Sequence, residues 1–167
     1  MNDTDSIFLA MIDYFSGDAR RVQHLTKVHA YARIIGREEH LDSRTQQILE
    51  TAALVHDIGI RPAEAKYGSC TGALQEQEGP SEAETLLRSL DVSPDIVQRV
   101  CYLVGHHHTY TDIDGMDYRI LVEADFLVNL YEDHANKISI RTAYERIFRT
   151  TTGKRLCRTM FGLLPED

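Results

Sequence analysis

Apolar residues recur along this chain at intervals of three and four, the spacing that lines one face of an α-helix. Over residues 4–15 they fall at Ile7, Phe8, Met11, Ile12 and Phe15, and Gly17 stops the segment. Asp18 then caps a longer helix to about Glu38, with Val22, Leu25, Val28, Ala32 and Ile35 inward, and the two are expected to pack as an antiparallel pair. Asp42 or Ser43 opens a third helix, which carries Ile48, Ala52 and Val55 and runs to Ile58, with Gly59 as its stop. Further helices are expected over 81–90, from Ser93-Pro94 to about Gly105, and over 118–132, followed by shorter amphipathic segments at 138–149 and 154–161. No stretch alternates like a strand between hairpin turns, and no repeat is visible. The expected fold is an all-α bundle: one domain over 1–167, with its core at about 18–133 and a helical tail at 138–161. Two polar, glycine-bearing stretches, 60–79 and 108–117, read as long loops. Loops of that length either wall a pocket or are plain surface excursions.

The third helix ends in His56-Asp57, directly after the apolar run Thr51-Ala52-Ala53-Leu54-Val55. A buried carboxylate without a partner costs several kcal/mol, on the order of a lost buried ion pair, and a cation removes that cost. The plainer reading is a His-Asp hydrogen bond at a helix end. Two other places weigh against it. Val104-Gly105 leads into His106-His107-His108, and Asp125 lies inside the apolar helix Val122-Glu123-Ala124-Asp125-Phe126.

This order, His24 in Arg21-Val22-Gln23-His24, then His56-Asp57-Ile58-Gly59, then His106-His107, then Asp125 with Asn129 four residues on, resembles the HD-domain superfamily of metal-dependent phosphohydrolases. The similarity runs from about Asp18 to Asp133. The resemblance implies an inner ligand set of His24, His56, Asp57 and Asp125 around one divalent ion, with Asn129 in support. It further implies that Glu78, His106 and His107 hold a second ion, with Asp57 bridging. Residues five apart on a helix point about 140° away from each other, so only one of His24 and His29 can enter the site, and the register of the resemblance, with Val28 and Tyr31-Ala32 following, implies His24. Two departures stand out. Many family members carry Lys after His-Asp-Ile-Gly, where this chain has Ile60-Arg61, and Glu78 replaces a histidine ahead of Ala83-Glu84-Thr85-Leu86.

Composition narrows the partners. The chain of 167 residues buries roughly two-thirds of its unfolded surface, enough to shelter a site. Its net charge of -8, with no basic stripe, argues against nucleic acid. No apolar run approaches the roughly 20 residues that cross a bilayer, and the start, Met1-Asn2-Asp3, is acidic where a signal peptide is basic. A cytoplasmic enzyme is expected, its three cysteines Cys70, Cys101 and Cys157 reduced bystanders.

Mixed imidazole and carboxylate ligands suit Mn, Fe, Co, Ni or Zn, one or two ions per chain. Asp57 and His107 are the expected catalytic groups. Arg61, Lys66, Tyr67, His108 and Tyr110 are the groups available to a small anionic phosphorylated substrate, a nucleotide among the candidates. Hydrolysis of a small phosphate ester by metal-activated water leads the reading. A di-iron oxygenase built on the same ligands, and a metal-bound sensor without turnover, are the alternatives.

Overall fold

The computed structural model describes residues 4–163; residues 1–3, with the acidic start, and 164–167 lie outside it. Among the described residues there are nine helices and no strand. They are α1 (Thr4–Tyr14), α2 (Ala19–Glu38), α3 (Ser43–Val55), α4 (Ile60–Tyr67), α5 (Gly72–Ser89), α6 (Pro94–Val104), α7 (Met116–Glu132), α8 (Lys137–Arg146) and α9 (Thr151–Phe161). The expected all-α class is what the chain adopts. None of these helices is long and apolar enough to cross a membrane.

At the centre, α3 packs against α2, α6 and α7, and α2 against α7. The sequence explains why α3 takes that place: its last seven residues, Leu49 to Val55, are all buried, so it has no face to give to water. Asp42 caps its start by accepting from the amides of Arg44 and Thr45. The helix α1 lies mainly on α3 through Ile7, Met11 and Phe15, and meets α2 through Phe8 on His29. The expected antiparallel α1–α2 pair is therefore corrected, and Ile12 stays on the exposed side. Deep in α7, Glu123 accepts from the backbone amides of Arg149 and Thr150 at 2.6 and 3.0 Å, tying the start of α9 to the core.

The stretch 60–79 is not a loop. It holds α4 and the first half of α5, joined by a short turn in which Gly68 takes a left-handed conformation (φ 65°) and Thr71 caps α5. Gly79-Pro80 reads as a breaker in sequence, yet Pro80 sits inside α5, forgoing only the one backbone hydrogen bond it cannot donate. Gly59 likewise does not stop a helix by a left-handed turn (φ -68°). Its role is close approach, because a Cβ there would lie 2.7 Å from the Gly79 nitrogen and 2.9 Å from its Cα. Gly59→Ala is therefore expected to lower Tm by about 2–12 °C, an overpacking cost of about 1–3 kcal/mol. A thermal melt checks this, and an unchanged Tm would contradict the backbone contact.

Of the stretch 108–117, residues 108–115 lie between helices, as expected, while Met116 and Asp117 open α7, and the connection is pinned. The Tyr118 hydroxyl lies between the carbonyls of His106 (2.6 Å) and Thr109, with one proton to share between them, and Arg99 grips Asp114 and Asp117.

Candidate metal centre

Four elements of the central bundle bring charged and imidazole side chains together around Asp57. His24 comes from the second turn of α2, His56 and Asp57 from the turn that follows α3, His107 from the turn that follows α6, and Asp125 from the middle of α7. His24, His56, His107 and Asp125 are buried. The His24 and His56 ring centroids are 5.5 Å apart, and those of His56 and His107 5.2 Å.

In each imidazole one nitrogen is already committed. His56 Nδ1 donates to the Ala53 carbonyl at 3.0 Å and His107 Nδ1 to the Val104 carbonyl at 2.8 Å. A carbonyl can only accept, so these bonds fix the proton on Nδ1 and leave Nε2 facing the centre. His24 Nδ1 pairs with Glu132 at 2.9 Å. All three Nε2 atoms are buried and none makes a hydrogen bond.

What faces them is carboxylate. His24 Nε2 lies 3.4 Å from Asp57 and 3.2 Å from Asp125, His56 Nε2 3.5 Å from each, and His107 Nε2 3.3 Å from Asp57. Donor atoms about 2.1 Å from a common ion stand roughly 3.0–3.4 Å apart, so these are the edge lengths of a coordination shell. Buried polar atoms left without partners are rare in folded proteins, and those of His24 and His56, facing Asp57 and Asp125, fit a divalent ion, with that of His107 on Asp57 beside it.

The electrostatics agree. Burial works against a charged His24, but the Asp125, Asp57 and Glu132 carboxylates outweigh it and raise its pKa to about 9. Burial likewise opposes ionisation of Asp57 and Asp125, yet the surrounding imidazoles hold both well below the usual carboxylate range. Without an ion the cluster balances its charge by keeping protons on histidine.

Residues 21–148 match the family model of the HD domain. The chain belongs to the HD-domain family. Over 95% of its length this HD-domain protein is similar, at 25% identity and a TM-score of 0.67, to a predicted HD superfamily hydrolase from an uncultured Thermotogales bacterium, 84% of which is covered. No curated protein matches it.

The HD-domain protein departs from its sequence reading at the second ligand group. Glu78 is not at the cluster: its carboxylate pairs with Lys66 and accepts from the Tyr67 hydroxyl at 2.9 Å. His106 is turned away too, stacked on Tyr102 at 4.1 Å with Nδ1 donating to the Tyr102 carbonyl. The histidine brought beside Asp57 and His107 is His108, whose ligating atoms lie within 4.8 Å of theirs. Its ring packs over Gly72, and Nε2 is 3.0 Å from Gln75 Oε1. Gln75 donates its own amide to the Cys70 carbonyl, so its Oε1 must accept and His108 Nε2 must donate. Burial and His107 push the His108 pKa down to about 4, which keeps this ring neutral.

The expected substrate groups divide in the same way. Arg61 donates to the Tyr14 and Ser16 carbonyls and lies over the Phe15 ring, closing the end of α1. Lys66 and Tyr67 are held by Glu78. These three bind the protein to itself. Tyr110, packed edge-on against Phe126, does belong to the site's surroundings; burial, Asp125, Glu76 and Asp57 raise its phenol to about 12, so it remains a neutral donor.

Asn129 donates to Asp125 Oδ1 at 2.9 Å, as a supporting residue should. Glu132, three residues further along the same face of α7, escaped the sequence reading. Asp125, Asn129 and Glu132 stand at i, i+4 and i+7, a polar stripe on an otherwise buried helix, and that spacing was the available signal. Glu132→Gln is expected to weaken metal binding about ten- to a hundredfold without abolishing it, because the neutral amide orients His24 less firmly. Competition with a chelator measures the change, and an unaltered affinity would remove Glu132 from the site.

Proposed function

We propose that this HD-domain protein is a phosphohydrolase that cleaves a small phosphate ester at a divalent transition-metal ion, Mn, Fe, Co, Ni or Zn. The observation that carries the reading is the pair of buried, unpartnered Nε2 atoms of His24 and His56 facing the Asp57 and Asp125 carboxylates, with that of His107 beside Asp57, next to a cavity whose wall includes two arginines. His24, His56, Asp57 and Asp125 would hold the ion. Held by these residues, a divalent ion would supply Lewis acidity, easing deprotonation of water and drawing charge from a phosphoryl oxygen. His107, with its proton fixed on Nδ1, offers Nε2 as the base that takes a proton from the attacking water, and Asp57 at 3.3 Å steadies the imidazolium that results.

With Glu78 held by Lys66, the described residues offer Asp57, His107 and His108 for another ion. Metal titration should therefore give one tight equivalent per chain, with a second, weaker one only in excess metal, and two equally tight equivalents would contradict this account. The hydrolase reading is tested by presenting metal-replete protein with a panel of phosphate monoesters and diesters and measuring product. Metal-dependent turnover of at least one ester is expected, and no product from any of them would overturn it.

A further inference from the structure

The cavity beside the cluster has a volume of about 380 Å³, and His24 and Asp57 form part of its wall. The rest of that wall carries Asp18, Glu132 and Asp133 against Arg20 and Arg21, so with Asp57 the carboxylates outnumber the cations and a phosphate approaching His24 and Asp57 meets repulsion unless a cation receives it. The neighbouring cations are nearly all neutralised within the protein. Arg21 binds Asp18 at 2.8 Å and Glu64 at 2.6 Å, and Lys27 binds Glu132 at 2.6 Å. Arg61 caps α1, and Lys66 is held by Glu78. Arg20 is the exception. It lines the cavity, is exposed, and has no partner among the described residues. It stands one helical turn before His24 on α2, so both side chains leave the same face.

The organic part of a ligand meets a different surface. Among the described residues no Phe, Tyr or Trp lines the cavity and Ile60 is its one aliphatic side chain, so beyond the His24 imidazole and the two guanidiniums a nucleobase finds no flat surface to stack on. Asp133 and the Asn129 carbonyl oxygen, whose amide nitrogen is taken by Asp125, are acceptors suited to hydroxyl groups.

We infer that Arg20 is the phosphate anchor of this cavity, and that the ester it receives is a small hydroxyl-bearing phosphate monoester rather than a nucleotide. The inference rests on the hydrolase reading for the word ester, but not for the anchor itself. A guanidinium presents two parallel donors to two phosphate oxygens, and an uncommitted one gives up no internal pair to do so.

The test is calorimetric binding of inorganic phosphate to the metal-loaded protein, followed by displacement of that phosphate with glycerol 3-phosphate, ribose 5-phosphate and adenosine monophosphate. Arg20→Gln should weaken phosphate binding at least about tenfold with metal content unchanged, Arg20→Lys should keep part of it, and Lys66→Gln should bind as wild type does. The two hydroxylated esters should displace phosphate at lower concentration than the nucleotide. Wild-type affinity in Arg20→Gln, or no phosphate bound by the wild-type protein, would overturn the anchor; strongest displacement by the nucleotide would overturn the substrate class. Phosphate held through Arg20 in a protein that hydrolyses no ester would leave the anchor standing and remove the hydrolase reading instead.

Discussion

Asp57→Ala will lose tightly bound metal and hydrolytic activity together. Asp57 is the one residue near all three imidazoles, with His24 at 3.4 Å, His56 at 3.5 Å and His107 at 3.3 Å from its oxygens. Deleting it removes a ligand and half of the negative charge that faces the ion, and no other described carboxylate at the cluster except Asp125 remains to replace it. Removing even a supporting partner of a ligand costs about ten- to a hundredfold in metal affinity, so loss of a shared ligand should exceed a hundredfold. Elemental analysis after gel filtration reads the outcome, with circular dichroism to show that the helices persist. Asp57→Asn, which keeps the shape and loses the charge, should fail in the same way. Full occupancy in either variant would show that the ion is held elsewhere.

The second large effect is on stability, and it depends on pH. In the metal-free protein the three Nε2 atoms lack hydrogen bonds, and the carboxylates are balanced by protons on histidine. The His24 pKa is raised to about 9, so its contribution to stability is complete below the ordinary value of 6.5 and is lost as pH rises through 9. An ion must displace that proton, which makes metal binding weaker in acid and stronger toward pH 9. At a free metal concentration a thousand times Kd the stabilisation is about 4 kcal/mol, or about 8–16 °C in Tm for a chain of this size. Melting curves with and without metal at pH 6, 7.5 and 9 should show a gap that widens with pH. A gap that is absent, or widest at pH 6, would contradict the ligand set.

The sequence was most legible where one helix face decides burial. The apolar spacing of α2, α3 and α7 pointed to the bundle core, and His56, Asp57 and Asp125 stood out because charged groups in such faces need a reason, whereas His24 was legible only through the resemblance to the HD-domain family. It misled where neighbouring elements decide. Gly79-Pro80 signals a break in isolation, but Gly79 is there to meet Gly59, and the helix continues through it. Three consecutive histidines point in three directions, and only the packing of Tyr102, Gly72 and Gln75 selects His107 and His108 over His106. Arg61 and Lys66 looked available to substrate because their partners, the carbonyls closing α1 and Glu78, are distant in sequence. Arg20 went unremarked for the converse reason: the absence of a partner is visible only in three dimensions.

One measurement bears most directly on the claim that this cluster is the metal centre of a hydrolase: turnover of a phosphate ester by one preparation before chelation, after it, and after metal is returned. Activity should fall to background once the ion is stripped and recover on addition of Mn, Fe, Co, Ni or Zn. Ester hydrolysis that continues unchanged in protein shown by elemental analysis to be metal-free would contradict the account.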